Sequence, residues 1–323
     1  MQILKIILEI YYGITYYMIG TYPEFSDLEP NAYEKSLNAF VKVKQLDEKY
    51  YKDNQMDIAS HIISIADNYF NTGTLSFNDG NYADAAAKYL NAFEAKKAIN
   101  VTDEGALTNA ALSFYKAQQF DKALEAYQQV ANLGKEDAYT YYYMAECYRN
   151  LENKDKMIEI VNIGRQKFPE NNDLINEQIN AYLNAKREVE IIDQIKDMAE
   201  ANSDQPIYYF ILGNIYGNAE STLFNIDEAV ACYDKAITAD INYADAYINV
   251  GSLYIDQAAG LYKNAEEVWE NKNLDFNAQI KASDEYTEQG KAFDEKAMPY
   301  VEKAHELLPD DEAALRLDEP VRR

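Results

Sequence analysis

Chain breakers are scarce in this sequence: its 323 residues include 12 Gly and 7 Pro. Ala, Leu, Glu, Lys, Gln and Asn fill long stretches between them, so helix is expected nearly throughout. Sulfur is as thin. The two cysteines, Cys147 and Cys232, lie in different expected repeats without CxxC spacing, which suggests neither a disulfide framework nor a zinc site. Both read as small core residues. The only histidines, His61 and His305, stand at opposite ends of the chain, so a histidine metal cluster or triad lacks material. A glycine-rich phosphate loop, HExxH, GxSxG and EF-hand spacing are also missing. Positive charge is short as well: 30 Lys and Arg against 55 Asp and Glu give a net charge of −25. Phosphate binding needs clustered cations to displace counterions, so no nucleic acid partner is expected. Acid pairs such as Asp310-Asp311 and Glu266-Glu267 read as solvated faces. No catalytic residue, cofactor or metal is assigned, and the chain is expected not to be an enzyme.

Apolar residues make up 48% of the chain, enough to bury a core. The apolar stretch from Met1 to Gly20 places Ile3, Ile6, Ile7, Ile10, Ile14 and Tyr17 at helical spacing, as a packed helix requires. Glu9 interrupts it, its uncharged run is read as too short to span a bilayer, and no small-x-small cleavage site follows. It is expected to be the first helix of a repeat, without direct membrane insertion.

An internal period organises the rest. Ala111, Ala145, Ile179 and Gly213 recur every 34 residues, with Gly251 following after 38. Phe114, Tyr148, Tyr182, Tyr216 and Tyr254 keep the same register three residues later. Leu107, Tyr141, Ile175, Tyr209 and Tyr247 keep it four residues earlier. A second apolar stripe opens twelve residues after the small anchor, at Ala85, Ala123, Met157 and Ile191, and continues at Tyr89, Tyr127, Val161 and Ile195. Turn signals such as Asn78-Asp79-Gly80-Asn81 and Phe168-Pro169-Glu170-Asn171 separate the stripes. Helix, turn, helix, turn is the repeating unit.

These residues resemble the tetratricopeptide repeat family. The nearest matches are Tyr209-x-x-Leu212-Gly213-x-x-Tyr216 with Ala229, Tyr233 and Ala236, and Tyr247-x-x-Val250-Gly251-x-x-Tyr254 with Ala297, Ala304 and Pro309. Leu28-Glu29-Pro30-Asn31-Ala32 and the long last repeat also resemble exported multi-repeat proteins of Bacteroidetes-like bacteria. The resemblance implies an all-α, right-handed α-solenoid of about seven helix-turn-helix units, near 1–50, 55–100, 104–135, 138–170, 172–205, 206–243 and 244–311. The last unit carries an insertion near 255–294 that forms two helical stretches around a turn at Asn271-Lys272-Asn273. That insertion reads either as a partner-binding arm around Trp269 or as two elongated repeat helices packed on each other. Extra turns are expected from Thr21 to Pro30, near Tyr51 to Gln55, and from Asn218 to Phe224.

The family implies a scaffold that binds a protein or peptide on the concave surface formed by first helices. With Tyr141, Ala145 and Tyr148 facing the core, helical geometry turns Tyr142, Glu146 and Arg149 to a neighbouring face. The equivalent residues are Thr108, Leu112 and Tyr115 before them, and Asn176, Asn180, Leu183, Phe210 and Asn214 after them. Arg149 is almost the only cation in this set, so the carboxylate clamp of some relatives is not expected. Stacking on Tyr115, Tyr142 and Phe210, with Asn180 and Asn214 bonding a peptide backbone, is expected instead. The alternative is a structural spacer in a cell-envelope assembly with no peptide groove. The ends of the chain suggest a longer natural N-terminus or a covering subunit. Localisation stays open between the cytoplasm and, for an exported form, the periplasm.

Overall fold

A computed structural model describes residues 2–271 and 273–321, and every regular element among them is helical. Two compact units divide the chain between residues 181 and 182. In the first, α1 (Gln2–Thr21) pairs with α2 (Ala32–Leu46), and the short α3 (Glu48–Asp53) follows. Three hairpins come next: α4 (Gln55–Asn78) with α5 (Tyr82–Ala98), α6 (Glu104–Lys116) with α7 (Phe120–Asn132), and α8 (Ala138–Asn150) with α9 (Lys154–Lys167). The unit boundary falls within α10 (Asn172–Asn184). The second unit contains α11 (Ile192–Ala201), the hairpin of α12 (Pro206–Gly217) and α13 (Ile226–Ala239), the long pair α14 (Ala244–Glu267) and α15 (Phe276–Leu307), and α16 (Glu312–Val321). Within each unit, successive hairpins build an all-α helical-repeat solenoid.

The sequence period reappears as backbone conformation. Gln118, Glu152 and Lys186 adopt φ of 59°, 57° and 56°, each just beyond a first helix. The next amide bonds back to the helix at 2.9 Å each time, Gln119 to the Phe114 carbonyl, Asn153 to Tyr148 and Arg187 to Tyr182. This is the left-handed C-terminal cap in which glycine is the usual residue. Only Gly80 supplies glycine at the corresponding turn, with φ of 77°.

The small anchors and aromatic columns meet inside the hairpins. Ala111, Ala145 and Ile179 are buried, as are Ala85, Ala123 and Met157 on second helices and Ile191 at the turn before α11. A Cβ built on Gly13 falls 2.7 Å from the Phe40 ring, and one on Gly213 falls 2.5 Å from Tyr233. A hydrogen atom is therefore what lets each pair of helices close, and the aromatic ring of the second helix fills the space.

Apart from the turn at Asn218 to Phe224, departures from the period are helical too. A 3-10 turn at Pro23–Leu28 links α1 to α2, and α3 with the lengthened α4 takes up the extra residues near Tyr51. Residues 255–267 and 276–294 extend α14 and α15 continuously, so the insertion consists of elongated repeat helices. They hold each other: Gly290 packs against the Tyr262 ring, and the Tyr262 hydroxyl donates to Asp294 at 2.5 Å. Trp269 lies at the tip, 47% exposed, against the Phe276 ring. Lys272 of the expected turn lies outside the described residues.

Helix α1 combines an apolar composition with a packed face. Taken whole, with Lys5 and Glu9 included, it is long and apolar enough to cross a membrane by length and composition. It nonetheless pairs with α2 through buried Ile6 and Gly13, a Ser36 hydroxyl donating to the Gly13 carbonyl at 2.7 Å, and the Lys42–Glu9 ion pair at 2.5 Å. Ile3, Leu4, Leu8 and Tyr11 remain exposed on its other side.

Candidate functional site

The residues expected on the first-helix face occupy matching positions in successive helices. Thr108, Leu112 and Tyr115 lie on α6, Tyr142, Glu146 and Arg149 on α8, and Asn176 and Asn180 on α10, all within the first unit. Leu183, Phe210 and Asn214 belong to the second unit. Asn176, Asn180 and Asn214 are exposed, and the others are half-buried. None of the first-unit aromatic or charged members is sealed in the core, because the 34-residue step repeats the facing direction of each helix.

In the first unit these side chains form a polar chain across three consecutive first helices. The Tyr115 hydroxyl on α6 donates to Glu146 on α8 at 3.2 Å. Arg149 bonds both Glu146 and Glu177, the latter on α10 and 3% exposed. Burial pushes the Glu177 carboxyl above its ordinary value, and the bond and charge of Arg149 oppose that rise. Burial works against the Arg149 charge in turn, but the bond to Glu177 and the charges of both acids outweigh it. Burial and the adjacent Glu146 also hold the Tyr115 phenol protonated well above its usual range. Tyr115 and Tyr142 each pack against Tyr143, at centroid separations of 5.1 and 5.3 Å. The result is an ordered face of two rings beside two carboxylates and one guanidinium.

In the second unit, Phe210 packs on Tyr233 and Tyr243 at 5.7 and 5.3 Å. The Asn214 carbonyl accepts from the Tyr233 hydroxyl at 2.7 Å and from the Asn249 amide at 2.9 Å. Phe210 and Asn214 therefore already serve intramolecular packing, leaving the Asn214 amide N–H groups as its donors to any ligand. Sequence reasoning did not single out Glu177 or Glu188. Glu177 gives a faint signal, as an acid next to the groove position Asn176, one repeat beyond Arg149. Glu188 lies in the 3-10 turn Glu188–Glu190, outside every periodic column.

The described residues include no group of three His, Cys, Asp or Glu side chains able to hold a metal ion. Both cysteines are buried, and burial raises the Cys147 thiol to about 12, far from a reactive thiolate.

Residues 106–133, which cover nearly all of α6, the turn and α7, match a family model described as a tetratricopeptide repeat. No curated protein matches the sequence significantly. Several solved structures are similar. A TPR repeats protein from Bacteroides fragilis shares 18% identity over 80% of this chain and 97% of its own, with a TM-score of 0.37. A thermophilic TPR protein from Thermus thermophilus shares 18% over 58% of this chain and 98% of its own, with a TM-score of 0.36. MamA from Desulfovibrio magneticus shares 13% over 60% of this chain and 96% of its own, with a TM-score of 0.39.

Proposed function

We propose that this tetratricopeptide-repeat chain, whose matched unit is flanked by helical hairpins of the same construction, is a non-catalytic scaffold that holds an extended or helical peptide on its first-helix face. The observation that carries the reading is the chain from Tyr115 through Glu146 and Arg149 to Glu177, which ties three successive first helices together at a half-exposed surface. Side chains ordered before binding lose little further entropy when a partner docks, and aromatic rings with polar rims make effective contacts. In the first unit Tyr115 and Tyr142 supply the stacking area and Asn180 bonds the peptide backbone, and in the second Phe210 and the amide N–H groups of Asn214 offer the same kinds of contact. Thr108, Leu112 and Asn176 line the first-unit face, and Leu183 belongs to the second unit's.

A spacer within a larger assembly is the second reading. It is favoured by the apolar side of α1, where Ile3, Leu4, Leu8 and Tyr11 are exposed without a covering element among the described residues. Selection of a displayed random-peptide library on the full chain separates the two. Peptides recovered on the wild type should bind the triple variant Tyr115→Ala, Tyr142→Ala, Phe210→Ala at least about tenfold more weakly, the loss expected for hot-spot aromatics. Equal binding by a still-helical variant refutes the groove, and recovery of no peptide favours the spacer.

A further inference from the structure

Helix α1 carries two seams. Ile6, Ile10, Gly13 and Tyr17, stepping alternately by four and three residues, face the body of the first unit. Ile6 and Gly13 are buried, Ile10 packs on the core that holds Phe40 and Ile62, and Tyr17 meets the Tyr33 and His61 rings. Leu4, Leu8, Tyr11, Thr15, Met18 and Tyr22 keep the same alternation on the other side, and all six are exposed. Tyr22 closes the seam, its amide donating to the Met18 carbonyl at 3.0 Å. Eight large apolar side chains between Ile3 and Tyr22 are each 40–72% exposed. Together they present a patch of several hundred Å², larger than a monomer ordinarily leaves open and comparable with the ~800 Å² that each partner gives a stable interface.

We propose that this outer seam is the contact for a second copy of the chain, α1 against α1, antiparallel about a two-fold axis level with Gly13. The contact stands apart from the peptide reading, whose first-unit residues lie on α6, α8 and α10. Period is the first argument. An alternation of four and three is what one helix requires of another, because the side chains of each must fall into the gaps of its partner. A lipid surface makes no such demand. Helix α2 already holds α1 helical, so a seam of this length needs no helix stability of its own.

The second argument is that the seam fits itself read in reverse. The antiparallel pair sets Leu8 opposite Met18, Leu4 opposite Tyr22 and Tyr11 opposite Thr15, so a bulky ring meets the smallest member of the seam in both halves. A parallel pair would set Tyr11 on Tyr11 and leave a gap where Thr15 meets Thr15. The antiparallel pair also brings the Lys5 end of one copy beside the Glu24 end of the other, opposite charges in place of Lys5 against Lys5. The net charge of −25 on each copy opposes association, so apolar burial carries the contact and added salt, by screening, should tighten it.

Sedimentation equilibrium of the full chain tests the proposal. The wild type should be a dimer that salt strengthens. Leu8→Glu and Met18→Lys alter side chains that are 51% and 46% exposed and lie outside the seam packed on α2, so each variant should keep its helix content. Each should weaken the dimer at least about hundredfold, as expected for an unpaired charge in a closed contact. Mixed in equal amounts, the two variants should recover a dimer. The introduced carboxylate of one then faces the introduced ammonium of the other, and the second Leu8–Met18 contact stays native. Leu75→Glu, at a 63% exposed position of α4, should change nothing. A monomeric wild type, dissociation by salt, a dimer that either seam variant leaves intact, a mixture that stays monomeric, or an equal loss in Leu75→Glu overturns the proposal. So does a wild type that is monomeric alone and floats with phosphatidylcholine vesicles, which would make the seam a lipid contact.

Discussion

Replacing Gly213 by Ala tests the packing of α12 on α13 with a single carbon atom. The new Cβ would lie 2.5 Å from Tyr233 Cε1 and 2.6 Å from Cδ1, well inside van der Waals contact. The ring has nowhere to go. Its hydroxyl is fixed by Asn214 and Asn249 at 2.7 and 3.2 Å, and its face lies against Phe210. Overpacking of this kind costs about 1–3 kcal/mol, while Ala in place of Gly within a helix returns about 0.8–1.0 kcal/mol. The net effect alone is therefore a poor witness. Gly260, inside α14, has open space around its built Cβ, so Gly260→Ala reports the propensity gain without the clash. The difference between the two variants should be about 1–3 kcal/mol. Gly251→Ala, whose Cβ meets Val301 Cγ2 at 3.1 Å, should fall between them. Urea unfolding followed by circular dichroism gives all three values under one condition. If Gly213→Ala stabilised the protein as much as Gly260→Ala does, the glycine would not be where these helices meet.

Two further outcomes follow from single residues. Asp103 caps α6 by accepting from the Ala106 amide at 2.9 Å and pairs with Lys96 at 2.8 Å. Burial raises its pKa, but the Lys96 bond, the Ala106 amide and the Lys96 charge together leave it below the ordinary value. A depressed carboxylate stabilises the fold above its unfolded pKa, about 3.9, and that contribution is lost as pH falls through the folded value. Asp103→Ala should cost about 1–2 kcal/mol at neutral pH. The gap from wild type should close in acid, and a gap that stays constant there would contradict the ion-pair account. At the α8–α9 turn, Glu152→Gly should gain about 0.5–1 kcal/mol over Glu152→Ala, because glycine carries no left-handed penalty at φ of 57°. Equal thermal midpoints for the two variants would show that the turn relaxes freely.

The hairpins were legible because their contacts demand residue types that single positions reveal. A close helix approach needs Gly or Ala, and the space beside it needs a ring, so Gly213 with Tyr233 marks the register by identity alone. The elongation of α14 and α15 was legible as an alternative, since Ala258, Leu261, Tyr262 and Ala265 recur at helical spacing on one stretch and Phe276 and Ile280 on the other. Left-handed turn residues were only partly legible: Gly80 announces itself, but Gln118, Glu152 and Lys186 are residues that common helices also use. The link from Arg149 to Glu177 depends on how one hairpin stacks upon the next, which no single column encodes.

The glycine–ring locks set the order in which such a chain can assemble. Gly13 meets Phe40, Gly73 meets Tyr89, Gly213 meets Tyr233 and Gly290 meets Tyr262, and each pair closes within one hairpin. Contact order is accordingly low, so little loop entropy is lost before the first native contact forms, and the search is short. Any hairpin can serve as the nucleus and its neighbours can add to it, as in a one-dimensional lattice. Amide protons should therefore exchange in blocks that coincide with hairpins, fastest where a block has a neighbour on one side only.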